Sequence, residues 1–592
     1  MFLRSTIRQK DGKPHRYWSV VETRRVGGGR VVQRPLLYLG EINDSQAAAW
    51  RKTIEVVEEG SSRPRTLSLF PEDRAEGLAP DETIVRLRLS AVQLRRPRQW
   101  GACWLTLHLW QELHLDRFWS ARLPPGRKGT RWDHILFVLT AYRLITPGSE
   151  WKLHRQWFDR SALADLLGTA TDLAELHKLY ACHDRLLAHK EALFQHLRQR
   201  WRDLFNVDFD VLLYDLTSTY FEANPPFPEG DKRRFGYSRD HRPDCAQVVI
   251  ALVITPDGLP MAYEVMAGNT ADSTTLRDFL ARIERQYGQA RRTWLMDRGI
   301  PTEAVLEEMR AADPPVHYLV GTPKGRLSKL QKRLAGLDWQ QARPGVQVKL
   351  LTEDQELYVF AESHDRIAKE RSMRQRQLKW LWSRLKQLRQ MELSREELLM
   401  RLGAARARAP GAWRLVKTEV SATEASFTYS LDRAKLRQTR LREGRYLLRT
   451  NLAQEDPGKL WEYYIRLVEV EQAFKTLKGD LAIRPVFHQL EHRIEAHIFI
   501  AFLAFCLHAT LRQRLHALAP GLTPRAVLDA FAAMHMIDVH LPTTDGRELL
   551  LSRYTEPEKA LKLLIERLKL TLPAQPPPRI SAAAATTEAT PL

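Results

Sequence analysis

Cysteine is scarce in this chain: Cys103, Cys182, Cys245 and Cys506 lie far apart among 592 residues. No CxxC pair occurs, so a structural zinc site is not expected, and so sparse a set suits a reducing cytosol. The amino-terminal run MFLRSTIRQKDGKPHRYW lacks the apolar core of a signal peptide. No apolar run is long enough to span a bilayer. The strongest, Ile498 to Leu507 (IFIAFLAFCL), is too short and is flanked by His497 and His508. It reads as a buried helix, and no membrane partner is expected. The run Gly27-Gly28-Gly29 is not followed by Gly-Lys-Ser/Thr, which excludes a phosphate loop.

Positive charge is abundant. Lys and Arg number 91 against 71 Asp and Glu, a formal net charge of +20. A chain this basic and this large points to a polyanion, DNA or RNA, ahead of a small acidic ligand. The length exceeds one hydrophobic core and implies about two to four domains.

Periodicity divides the chain. Tyr17–Val26 and Arg30–Leu39 read as a hairpin around the glycines, followed by a short helix near 47–59 and a polar linker near 60–82. Residues 83–205 show helical spacing at Trp104–Leu115, Trp132–Ile145 and Leu187–Leu204. They also carry Arg95-Arg96-Pro97-Arg98 and Arg127-Lys128, which makes a basic helical module a candidate for docking on DNA.

From 207 onward three antiparallel strands are expected at 207–216, 247–255 and 259–266. A helix at 273–285, a strand at 293–296, a helix at 301–309 opened by Pro301 and a strand at 316–320 follow. Residues 322–450 mix short strands with a long helical stretch. From Arg366 to Arg408 that stretch holds 13 Lys/Arg and four Glu, 13 − 4 = +9. Helical spacing returns at 458–481, 491–515 and 524–534, and the tail AQPPPRISAAAATTEATPL reads as disordered.

Two acids fall at matching places. Asp215 is expected at the end of the first strand and Asp297 at the end of the fourth, and in an open sheet of this order those strands are neighbours. Singly, each reads as a turn or cap residue. As a pair they repel, and a divalent cation relieves that repulsion; oxygen-only ligands select magnesium, with manganese substituting.

A third acid follows from helix geometry. Apolar residues at 460, 463, 467, 470, 474, 477 and 481 form a stripe. At about 100° per residue, Tyr464, Glu471 and Lys478 fall within about 40° of one another along its flank, and Glu469 points about 160° away, toward solvent. A plain ion pair between Glu471 and Lys475 is the competing reading. Tyr464 and Lys478 suit a phosphate oxygen or a DNA end.

These residues resemble the DDE insertion-sequence transposases with a ribonuclease H-like catalytic domain, in the branch with a Tyr–Arg–Glu–Lys signature. The segments that carry the resemblance are YDLTSTYFE at 214–222, GYSRDHRPD at 236–244, MAGNTADS at 266–273, MDRGIP at 296–301 and VEQAFKTLKGDLAIRPVFH at 470–488. The resemblance implies a catalytic and metal-binding triad of Asp215, Asp297 and Glu471, with the signature Tyr and Lys at Tyr464 and Lys478. The signature Arg falls at Leu467, a departure. Arg466, Lys475 and Arg484 are the alternatives for its phosphate contact, and Arg298 joins the expected DNA contacts.

The fold implied is α/β, a ribonuclease H-like mixed sheet interrupted by an inserted β/α domain. The expected regions are an amino-terminal hairpin at 1–60, a helical candidate DNA-binding region at 83–205 and the first catalytic part at 206–321. A basic insertion at 322–450, the second catalytic part at 451–520, carboxy-terminal helices at 521–571 and a tail at 572–592 complete the chain. The function implied is cut-and-paste transposition by two-metal phosphodiester hydrolysis and strand transfer. Double-stranded DNA, a homodimer on that DNA and a cytoplasmic, nucleoid-associated location in a prokaryote go with it. A non-transposing nuclease on the same scaffold and a domesticated DNA-binding regulator are the alternatives.

Overall fold

The computed structural model describes residues 2–10, 13–25, 31–42, 46–47, 50, 87–127, 129–169, 171–207, 209–222, 225–238, 240, 242–270, 281, 292–297, 301–322, 330, 333–334, 336–353, 355–452, 455–484, 486–544 and 546–581. The chain divides into two compact units. The first comprises Met1–Ser5, Tyr17–Arg292 and Arg466–Leu592, the second Thr6–Arg16 and Thr293–Ile465.

Strands β1 (Phe2–Lys10), β2 (Lys13–Arg25) and β3 (Val31–Glu41) form one sheet. The last two are the expected hairpin, paired antiparallel from Tyr17↔Glu41 to Arg25↔Val31. Its register slips between Val20 and Val21, beside Pro35, which has no N–H to donate. Strand β1 lies within the amino-terminal stretch expected to be extended, although its side chains are mostly exposed. The glycine turn, most of the helix near 47–59 and the linker lie outside the described residues.

Residues 83–205 are not all helical. Arg95-Arg96-Pro97-Arg98 lies on a strand, β4 (Gln93–Gln99). Helices α1 (Gly101–Glu112), α2 (Leu115–Arg122), α3 (Trp132–Ile145), α4 (Leu176–His183) and α5 (Lys190–Phe205) follow. Next come β5 (Val211–Phe221), β6 (Ala246–Ile254) and β7 (Pro260–Ala267), a run of antiparallel pairs from Leu213↔Ile254 to Phe221↔Ala246 and from Val248↔Ala267 to Ile254↔Pro260. Every residue of β6 is buried, which explains its continuous run of apolar residues. The helix expected at 273–285 lies almost wholly outside the described residues.

The second unit opens with β8 (Thr293–Met296), α6 (Glu303–Ala311) and β9 (His317–Gly321). Thr302, not Pro301, caps α6: its hydroxyl accepts from the Val305 N–H at 3.3 Å, and the proline stands just before it. Then come β10 (Gln340–Arg343), β11 (Val346–Glu353), β12 (Glu356–Ser363), α7 (His364–Gln390), α8 (Arg395–Arg408), β13 (Val416–Val420), β14 (Phe427–Leu431), α9 (Arg433–Arg442) and β15 (Arg445–Thr450).

Within this unit the strands run β10-β11-β12-β15-β9-β8, a mixed order in which only β8 and β9 are parallel. Leu381, Leu385 and Leu388 of α7 pack on Leu398 and Leu402 of α8 and on Phe427 of β14. The opposite side of α7 exposes Arg366, Lys369, Arg371, Arg376, Lys379 and Lys386. A network of ion pairs anchors β15: buried Arg449 holds the two oxygens of exposed Glu303 at 2.8 and 2.7 Å and also meets buried Glu356, which Arg310 reaches at 2.7 Å.

Helix α10 (Pro457–Lys478) leads into the carboxy-terminal part of the first unit. Helix α11 (Glu491–Leu518) contains the apolar run noted at 498–507, and 94% of its most apolar window is buried. It is a core helix, surrounded by α1, α3, α4 and β7 and by α12 (Pro524–Phe531). Aromatic edges fill the gaps: Phe499 meets Trp119, and Phe502 meets Phe194 and Tyr263.

The expected carboxy-terminal helices prove to be a mixture. β16 (His535–Pro542) and β17 (Glu548–Tyr554) stand between α12 and α13 (Lys559–Arg567), and β18 (Arg579–Ser581) follows; the sheet order is β18-β17-β16-β4. Arg98, on β4 of this sheet, is buried and grips Asp538 at 2.9 Å and Asp165 at 2.8 Å. It therefore does not belong to a DNA-facing patch.

His508 lies in the α11 core with its Nδ1 unpartnered among the described residues. Burial, reinforced by Arg512 one turn away, pushes its pKa down to about 4. As pH falls from about 6.5 the unfolded chain takes up the proton first, so this contribution is intact above pH 6.5 and is lost by about pH 4. The loss amounts to about 3 kcal/mol. Urea unfolding of His508→Phe should show a flatter pH dependence between 7 and 5 than the parent, and equal slopes would refute the assignment.

Candidate active site

Asp215 was expected at a strand end. It lies inside β5, half-buried, opposite Leu252 of β6. The strand runs on through Thr217, Thr219, Tyr220 and Phe221 because β-branched and aromatic side chains sustain it. The Leu216 N–H donates to Asp215 Oδ1 at 2.7 Å, which restrains the carboxylate. Beyond it, Ser218 Oγ and Thr219 Oγ1 are buried without hydrogen-bond partners among the described residues. Asp297 stands directly after β8, exposed, in the second unit.

Helix α10 behaves as its stripe requires. Leu460, Val470, Phe474, Leu477 and, just past its end, Leu481 are buried, with Tyr463 and Leu467 half-buried. Glu471 and Lys475 are exposed, and among the described residues neither forms an ion pair with the other or with any third group. Glu469, expected in solvent, is half-buried and pairs with Arg512 of α11 at 3.0 Å. A neighbouring helix covers the side that single-helix geometry leaves open. Arg466 is exposed, 3.9 Å from Asp257.

Lys478 and Arg484 come together on one carboxylate. Lys478 Nζ donates to Asp240 Oδ1 at 2.7 Å, and Arg484 Nη1 meets the same oxygen. The Asp240 side chain is buried, and its Oδ2 has no partner among the described residues. The Arg484 guanidinium lies 5.9 Å from the Tyr220 ring and that of Arg242 4.9 Å from it. Arg242 also pairs with Asp244 at 2.9 Å and Glu222 at 3.4 Å, and its hydrogen bond holds the Asp244 carboxyl down at about 2.

The 236–244 motif thus meets the end of β5 and the end of α10 in a cluster of alternating charge. Asp240 was not singled out from sequence, although it lies in the quoted motif, because only the fold supplies its two partners. Tyr464 packs on Tyr446 and Trp461, with ring centroids at 5.4 and 5.7 Å. Arg298 lies outside the described residues.

The family profile described as "Transposase DDE domain" matches residues 209–507, and that described as "IS1634 family transposase, N-terminal domain" matches residues 3–67. No curated protein matches the chain. Among solved structures, a cryo-EM structure of the piggyBac transposase synaptic complex with hairpin DNA is similar at 8% identity and a TM-score of 0.35, over 74% of this chain and 82% of that one.

Removing Asp240 takes away the carboxylate that Lys478 and Arg484 share. Asp240→Ala should lose about 3–5 kcal/mol of stability in urea unfolding, and Lys478→Ala less, since Arg484 still pairs with the carboxylate. Equal small effects from both would show that the pairing carries little energy.

Proposed function

The chain belongs to the family of DDE transposases, and on that premise we propose that Asp215, Asp297 and Glu471 are its catalytic acids. As a DNA transposase it is a metal-dependent, DNA-cleaving enzyme acting on DNA. The observation that carries the choice of acids is on α10. Glu471 stands exposed with no ion-pair partner among the described residues, whereas Glu469 is engaged by Arg512. A carboxylate already neutralised by an arginine is a poor metal ligand; an unengaged one on a packed helix is a good one.

The donor set is three carboxylates. Oxygen-only donors of that charge fit magnesium, with manganese substituting. When bound, the cations supply a low-pKa water and stabilise the leaving oxygen. The chain's own residues do the rest. The Leu216 N–H restrains Asp215, and the apolar stripe of α10 fixes the direction of Glu471.

Lys478 and Arg484, held together by Asp240, form a preset cationic pair two turns from Glu471 that suits backbone phosphates. Lys475, Arg298 and Tyr464 complete the proposed DNA contacts. The exposed cations of α7 add sequence-independent affinity. The reaction is hydrolysis of a phosphodiester at each element end; the freed 3′-hydroxyl then attacks a target phosphodiester in cut-and-paste order. Two ends need two active sites, so a homodimer assembles on DNA. The catalytic domain is read as ribonuclease H-like, a reading supported by the antiparallel β5–β6–β7 run and the parallel β8–β9 pair.

Asp215→Ala, Asp297→Ala and Glu471→Gln should each abolish magnesium-dependent cleavage of element-end DNA and leave its binding within about threefold. Glu469→Gln should cleave. Cleavage at the parental rate by any of the first three would remove that residue from the site.

A further inference from the structure

Away from these acids, four titratable side chains converge inside the first unit. Glu150 opens a short turn, His183 ends α4, His488 lies between α10 and α11, and His497 is in the second turn of α11. All four are buried. Glu150 Oε1 lies 3.4 Å from His183 Nε2, 3.3 Å from His488 Nε2 and 3.9 Å from His497 Nδ1. One ligand atom from each of Glu150, His488 and His497 lies within 4.8 Å of the other two.

Hydrogen bonds identify the free lone pairs. His183 Nδ1 is 2.9 Å from the Leu179 carbonyl, and His497 Nε2 is 3.3 Å from the Ile483 carbonyl. A carbonyl only accepts, so those nitrogens carry the hydrogens. His497 Nδ1 faces Arg143 Nη2 at 3.4 Å, and a guanidinium only donates. In the neutral rings, His183 Nε2 and His497 Nδ1 therefore present lone pairs toward the Glu150 carboxylate. Lone pairs facing a carboxylate repel unless a cation lies between them. His183 Nε2 is fully buried and has no hydrogen-bond partner among the described residues. One ring nitrogen tied to a backbone carbonyl with the other directed inward is how metal-ligating histidines are held.

The spacing agrees. Zinc bonds of about 2.0–2.2 Å in a tetrahedron place ligand atoms about 3.3–3.6 Å apart. The 3.3 and 3.4 Å separations from Glu150 already fit and the 3.9 Å one has to close only slightly, while His183, which lies outside the set of donors mutually within 4.8 Å, has to move inward to complete the tetrahedron. We propose that Glu150, His488 and His497, with His183 as fourth ligand, form a structural site for a zinc-class divalent ion. Imidazole donors favour such ions over magnesium, so the site is chemically distinct from the three catalytic carboxylates. Four protein ligands leave no open position, the mark of a structural rather than a catalytic centre. Loading requires Arg143 Nη2 to release His497 Nδ1, while Nη1 stays on the Ala482 carbonyl at 3.1 Å, and requires His488 Nε2, which donates to Glu150 Oε1 at 3.3 Å, to lose its hydrogen so that the ring is protonated on Nδ1 instead. The ion ties α4 and the 150 turn to the stretch that follows α10 and carries Arg484.

The test uses the full chain, purified without a metal-affinity tag. Elemental analysis should find about one zinc per chain after exhaustive dialysis. Chelation should lower Tm, and zinc sulfate, not magnesium chloride, should restore it. Glu150→Gln and His488→Gln should reduce bound zinc by roughly tenfold or more, whereas Asp215→Ala should keep its zinc and lose cleavage. If those ligand variants fail to fold, titration of the chelated parent chain with Co2+ decides, through the visible bands of a four-coordinate ion. A parent chain that arrives without zinc, takes up none on titration and keeps its Tm would overturn the proposal and leave a metal-free hydrogen-bonded cluster.

Discussion

A helix that is apolar on every side has no face to offer water. Helix α11 is such a helix, and its burial is the constraint from which the first unit is built. It requires cover from several directions at once, and no single neighbour in sequence can supply that. The cover comes from α1, α3 and α4, far upstream, from β7 and from α12 downstream. The amino-terminal helices are thereby bound to the catalytic segments as parts of one core. The same enclosure brings Arg512 against Glu469, while Glu471 two residues on stays exposed.

Much of the architecture was legible in the sequence, and the misses have identifiable causes. Strands β6, β7, β8 and β9 and helices α10 and α11 carry dense, regular apolar patterns, and they form close to where those patterns place them. Asp297 and Glu471 fall where spacing put them, one just past a strand and one on the exposed flank of a stripe. Asp215 was misplaced relative to its strand because the hydroxyl run Thr217-Ser218-Thr219 has no apolar alternation to extend the pattern. Glu469 was misjudged because helix geometry describes one helix and knows nothing of its neighbour. The carboxy-terminal strand β16 pairs on one side with β17 and on the other with β4, far upstream in the chain, a partnership without a local signal.

Charge illustrates the same limit. The surplus of +20 identifies a polyanion partner without saying which cations face it. Arg98, Arg143, Arg233 and Arg449 are all buried, three of them against carboxylates of their own unit. A buried cation must find compensation inside the fold, because desolvation costs more than a distant phosphate returns. The basic run at 95–98, which invited a surface reading, divides accordingly: Arg95 and Arg96 are exposed and Arg98 is locked away. The exposed ridge on α7 is a different case, with a leucine seam on one side and cations on the other.

The way the segment between β9 and β15 leaves and rejoins the sheet has an evolutionary consequence. The chain departs after Gly321 at the end of β9 and comes back as β15, where Leu448 pairs directly with Gly321. Departure and return are thus stitched side by side by backbone hydrogen bonds. Whatever hangs from that seam closes a loop whose entropy grows only with the logarithm of its length, about 0.6 kcal/mol for each doubling. Lineages can lengthen, trim or exchange this appendage at almost no thermodynamic penalty to the strands that hold it, which makes it the part of the molecule most open to diversification.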